Sequence, residues 1–171
     1  MPSGEVVVRF AEPGDDGGIA DTLTRAFARE DEAMLVARLR QSGAAIISLV
    51  ADVAGSVVGH AVLSRVDARI DGRAVEVLAL APVCVRPTHQ RRGIGSLLTE
   101  AAIDCAADTG AEAVLVVGDP GFYGRFGFSA GRARVFVSRH SGDAFQALEI
   151  VPGALSGESG TVDYPEAFSD A

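Results

Sequence analysis

The stretch from Ala44 to Val85 constrains this chain more than any other. It is largely apolar and is broken only at Ala54-Gly55-Ser56 and at Asp71-Gly72. Both breaks suit hairpin turns, so three consecutive strands are predicted. A helix from Gly93 to Asp108 follows, with Ile94, Leu97, Leu98, Ala101, Ala102 and Cys105 recurring at helical spacing. Gly110 stops it, and "AEAVLVVG" is another strand. Hairpins that run without a linker into a strand–helix–strand unit specify one mixed sheet with helices packed on it.

The flanking segments agree. "EVVVRFA" (Glu5 to Ala11) predicts a first strand, and Pro13, Gly14, Asp15 and Asp16 a turn and helix start. Ile19, Leu23, Ala26 and Phe27 mark one face of that helix. A second helix carries Met34, Leu35, Arg38 and Leu39 on one side and ends near Gly43. Asp119-Pro120 supplies an N-cap and an N1 proline for a short helix. "RARVFVS" and "AFQALEIV" are predicted as late strands, and the Gly/Ser-rich tail from about residue 152 as irregular. The expectation is a single α/β (or α+β) domain over 1–171. Its sheet is mixed and mostly antiparallel, with about seven strands flanked by about four helices.

Composition narrows the function. With 48% apolar and 22% charged residues the chain is too apolar for disorder. It has no run of about 18 uncharged apolar residues, so no membrane span is expected. Its first residues lack a positive flank and a long apolar stretch, so no signal peptide is expected. A net charge of −8 argues against nucleic-acid binding and suits a cationic or small neutral partner. Cys84 and Cys105 lie in apolar periodic segments and read as buried thiols, not a disulfide or metal pair; the expected location is cytoplasmic. His60, His89 and His140 have no metal-ligand spacing. Every one of the 15 basic residues is arginine.

Chemistry concentrates in "VCVRPTHQRRGIGS" (Val83 to Ser96). A strand ends at Pro87, a turn follows, and Gln90-Arg91-Arg92-Gly93-Ile94-Gly95 opens the striped helix. Glycines there admit close approach of a ligand, and the first helical turn offers unpaired N–H groups at the positive end of the dipole. Arg91 and Arg92 add charge, although adjacent side chains diverge and one of them is then an ordinary surface group. Arg86 lies just upstream. A nucleotide P-loop requires a lysine that this chain lacks. A dinucleotide fingerprint requires a small residue where Leu98 stands.

This segment resembles the GNAT superfamily of N-acetyltransferases, whose hallmark Gln/Arg-x-x-Gly-x-Gly/Ala is matched by Gln90, Gly93 and Gly95. "GDPGFYGRFGF" (Gly118 to Phe128) is similar to the segment in which a tyrosine precedes a Gly-Phe pair, with Tyr123 five residues before Phe128. With the N-terminal strand–turn–helix and the late "ALEIVPGAL" run, the resemblance extends from about Glu5 to Phe168 and points to a YhbS-like bacterial branch. It implies acetyl-CoA as cosubstrate, no metal, and a primary amine as acceptor. It also implies that the amides of Val83, Cys84 and Val85 line the acetyl and pantetheine arm. The backbone of Arg91, Arg92, Gly93, Ile94, Gly95 and Ser96, with Gln90, would cradle the pyrophosphate. Tyr123 would protonate the departing thiolate, in place of being a core tyrosine.

The family's strand glutamate, eleven residues before the loop glutamine, is Ala79 here. Glu76 is three residues earlier and so on the opposite sheet face unless a bulge intervenes. A water relay, another acid or no dedicated base remain open. The acid run Glu30-Asp31-Glu32 borders the acceptor cleft by resemblance and is otherwise a solvated helix start. Three functions follow: acetylation of a small-molecule amine, acetylation of a protein lysine or N-terminal amine, or acyl-CoA binding without turnover. A homodimer is common in the superfamily, but no segment specifies one.

Overall fold

The computed structural model describes residues 4–170. Strand β1 (Val6–Phe10) forms one edge of the sheet, and helices α1 (Asp16–Phe27) and α2 (Asp31–Ser42) follow. The hairpin stretch becomes β2 (Ala45–Val53), β3 (Ser56–Ile70) and β4 (Arg73–Val85). Its two turns place Ala54 and Gly55, then Asp71 and Gly72, at positive φ. Two such residues in succession match the right-handed twist of the flanking strands. Then come α3 (Ile94–Asp108), β5 (Ala113–Val117), α4 (Pro120–Tyr123), α5 (Ala130–Ala133), β6 (Phe136–Val137), β7 (Phe145–Glu149) and β8 (Gly160–Asp163).

The strands run in the order β1-β2-β3-β4-β5-β7, with β8 paired to the lower half of β3 and β6 paired to β8. Only β4–β5 and β6–β8 are parallel. On one face α3 inserts Ile94, Leu98, Ala102 and Ala106 against Leu49, Leu63, Leu80 and Val116. Burying a side chain such as Leu98 stabilises the fold by about 1.5–3 kcal/mol. On the other face Ile19, Leu23 and Val36 cover Val50, Val62 and Cys84. Farther along that face Phe136, Phe145 and Leu155 close over Val66, Val75 and Leu115.

Three expectations change. Residues 132–138 are not one strand. Ser129 caps a helical turn by accepting from Arg132 N at 3.2 Å, which leaves only Phe136–Val137 extended. The tail is not irregular, since it contributes β8 and a 3₁₀ turn over Glu166–Asp170. Its glycines serve close approach, as a Cβ on Gly160 would lie 2.9 Å from the Arg69 carbonyl. In α2 the buried side is Leu35, Val36 and Leu39, while Met34 is exposed. The described sheet thus has eight strands and the described helices number five.

One feature of the sheet positions the site. Strands β4 and β5 share rungs only at Val77–Ala113, Leu78–Val114 and Ala79–Leu115, and then part. The register of β4 on β3 slips by one residue between Leu80 and Val83, a bulge that turns the end of β4.

Candidate active site

The end of β4 leaves main-chain groups unpaired. Arg86 N donates to Val58 O at 2.7 Å, so Cys84 and Arg86 bond toward β3. By antiparallel alternation the N–H and C=O of Val83 and Val85 face the gap left by β5. Gln90 Nε2 donates to the Val85 carbonyl at 3.0 Å and ties the turn to the strand end. Cys84 therefore differs from its neighbours. Its amide is turned away from the gap, and burial pushes its thiol up to about 12, so it is no nucleophile.

The turn into α3 is strained in a useful way. Arg91 and Gly93 both have positive φ, at 63° and 79°. No side chain caps α3, and its first internal bond runs from Leu97 N to Gly93 O. The amides of Ile94, Gly95 and Ser96 precede that bond and are free to meet an anion. A hollow of about 390 Å³ opens onto them, lined by Val85, His89, Gln90, Arg91, Gly93, Gly95, Ser96, Phe122 and Arg125. A Cβ on Gly95 would meet Phe122 and Val85 no closer than 3.6 Å. Packing therefore does not demand glycine at 95; a side chain there would take up room in the hollow.

A second chamber, about 340 Å³, continues from the first through Val85, Gln90, Gly95 and Phe122. Ala26, Phe27, Val83, Cys84, Asp119 and Tyr123 complete its walls. Asp119 caps α4 by accepting from Gly121 N at 2.9 Å. That turn presents Tyr123, whose ring lies edge-on to Phe122 and Phe128. The ring also lies across Gly118, where an added Cβ would be 2.5 Å from Tyr123 Cε2. Burial pushes the Tyr123 phenol up, so it keeps its proton at neutral pH. Its hydroxyl has no hydrogen-bond partner among the described residues.

One contributor escaped sequence reasoning. Arg125 donates to Ser96 Oγ at 3.0 Å and stacks over Phe122 and Phe126, 5.1 and 5.4 Å from their centroids. The available signal was its place between aromatic residues in "FYGRF". Other expected groups lie elsewhere. Arg92 is exposed and does not line the cleft. Arg86 turns to α1, reaching Asp21 at 2.9 Å and Thr22 Oγ1 at 2.9 Å. Glu32 is paired with Arg29 and does not line the cleft. Glu76 lines a separate cavity of about 600 Å³, shared with Asp67, Asp163 and Tyr164 toward the other end of β3 and β4. Among the described residues no cluster could hold a metal ion.

A family model described as an acetyltransferase (GNAT) domain matches residues 7–131. The chain belongs to the GNAT acetyltransferase family. It is 34% identical over 167 residues to the uncharacterized N-acetyltransferase YhbS of Escherichia coli K12, covering 96% of this chain and 99% of that one. The crystal structure of E. coli YhbS in complex with CoA superposes with a TM-score of 0.89 at 31% identity, over 99% of this chain and 94% of that one. A GNAT acetyltransferase from Brucella melitensis in complex with acetyl-CoA gives 0.79 at 31% identity, over 96% and 98%. The GNAT match ends at Ala130-Gly131, so β6, β7 and β8 lie beyond the matched domain.

Proposed function

We propose that this chain transfers the acetyl group of acetyl-CoA to a primary amine, with Tyr123 as general acid. One observation carries the reading. A single cleft joins the Arg91–Gly93 turn, the main chain of Val83 and the Val85 amide facing the gap, and the unpartnered Tyr123 hydroxyl. Two relatives that cover nearly the whole chain are complexes with CoA and acetyl-CoA, and the residues here fit such a ligand. Acetyl-CoA would supply the activated acetyl thioester. The amides of Ile94, Gly95 and Ser96, with Arg91 and Arg125, hold its phosphates. The Val83 and Val85 main chain orients the pantetheine arm and offers a donor to the thioester carbonyl. Tyr123 holds a proton for the departing sulfur, and Phe27 and Phe122 restrict water. Two bound reactants avoid the entropy of encounter, so positioning supplies much of the rate. Two free thiols fit a cytoplasmic protein.

Release of CoA thiol from acetyl-CoA, measured across small amines and a lysine-bearing peptide, tests this. Turnover with at least one acceptor is expected. Stabilisation by acetyl-CoA without turnover would leave a binding module, and absence of both would overturn the reading.

A further inference from the structure

We propose that Asp119 is the group that takes the proton from the attacking amine. The inference rests on the acetyl-transfer reading above and supplies the base it lacks. Asp119 is the one carboxylate among the described residues lining the cleft. Of the acids on α1 and α2, Asp21 is held by Arg25 and Arg86, Glu32 by Arg29 and Asp16 by Arg40, and Glu30, just before α2, does not line the cleft. Asp119 has no arginine partner among the described residues. Its Oδ1 is held by Gly121 N at 2.9 Å, which fixes the carboxylate and leaves Oδ2 unengaged.

Its place relative to Tyr123 is specific. Tyr123 N donates to Asp119 O at 3.0 Å, so the two residues close one helical turn. Asp119 is the extended N-cap of that turn and Tyr123 its last residue, and both line the second chamber. The turn thus presents a proton donor and a proton acceptor to one chamber. Other charged and titratable groups lining the cleft are Cys84 from β4, His89 and Arg91 from the turn before α3, and Arg125 beyond α4. Cys84 is held as a thiol by burial, His89 lines only the first hollow and not the chamber that Tyr123 walls, and guanidinium groups donate hydrogen bonds without accepting. His60 does not line the cleft and is sealed in the core beneath α1 and α2.

The step balances. The amine nitrogen bonds to the thioester carbon and the C–S bond breaks. The nitrogen's proton passes to Asp119 Oδ2, and the Tyr123 proton passes to the sulfur. Return of the proton from Asp119 to the tyrosinate through solvent resets both groups, and no oxidant or further reactant is needed. A carboxylate at this point also attracts a cationic acceptor, which releases one proton to solvent before the neutral amine attacks.

Asp119→Asn separates this role from capping, because the amide oxygen still accepts from Gly121 N. With the panel amine that gives the highest turnover, D119N should lower kcat on the order of 10²-fold at pH 7. Its Kd for acetyl-CoA should stay within about twofold, so that the loss falls on kcat and not on cofactor binding. Asp119→Ser, also a good cap without charge, should behave alike. Wild-type rates in both variants would overturn the proposal, as would a loss confined to acetyl-CoA affinity. Absence of any wild-type turnover would instead remove the acetyl-transfer reading beneath it.

Discussion

At the scale of single residues, the site depends on what holds Tyr123. A glycine at 118 lets the ring lie across the backbone, and the rings of Phe122 and Phe128 fix its plane. Tyr123→Phe keeps that packing and removes only the hydroxyl. Steady-state kinetics should show kcat lower by about 10²-fold with acetyl-CoA affinity nearly unchanged. The phosphate end yields a contrast between two arginines. Arg125→Ala should raise the Kd for acetyl-CoA several-fold, and Arg92→Ala should leave it near wild type, both by titration calorimetry. That Gln90, Gly93, Gly95 and Tyr123 sit at turns lining one cleft was legible in the sequence because each turn is specified by residues close to it in the chain. Arg125 was not, because its partners Ser96 and Phe122 meet only after α3 and α4 pack. Arg86, just upstream of the loop, is drawn away from it in the same long-range manner: Asp21 and Thr22 hold it from the other end of the chain.

At the scale of elements, short-range signals located the hairpins and α3 well. The Ala54-Gly55 and Asp71-Gly72 turns and the apolar stripe depend only on neighbours. The short α5 and the late strand β8 depend on distant contacts, so alternation alone misjudged them. The first elements are tied together by charge. Arg9 on β1 bonds Asp15 before α1 at 2.7 Å and Asp52 on β2 at 3.1 Å. Arg9 and the Glu12 amide hold the Asp15 carboxyl down to about 2, from an ordinary 3.8. A depressed carboxylate stabilises the fold above its unfolded value and loses that effect as pH falls through the folded one. Asp15→Asn should therefore be less stable than wild type at neutral pH, and urea melts should show the difference shrinking between about pH 4 and 2.

At the scale of the whole molecule, one sheet carries two jobs. Its upper half opens the cleft, and its lower half is sealed by residues beyond the GNAT match. His60 lies inside the layer under α1 and α2, its Nε2 against Ser48 Oγ at 2.8 Å. Burial, with Arg40 adding to it, pushes the imidazole down to about 4 from 6.5. The unfolded chain takes up this proton first, so stability falls as pH drops below 6.5 and levels off below about 4. His60→Gln should flatten the dependence of melting temperature on pH across that window. The absence of lysine matters at this scale too. If the chain acetylates amines, no side chain of its own can compete as acceptor.

The parting of β4 from β5 has a kinetic consequence. Val85, Gln90, Gly95 and Phe122 wall both chambers, so on the acetyl-transfer reading a donor lying along the seam would also form part of the floor beneath the amine. Before the donor arrives, that floor is incomplete. If the chain transfers acetyl groups as proposed, acetyl-CoA should bind before the amine, and initial-rate patterns with CoA as product inhibitor check that order.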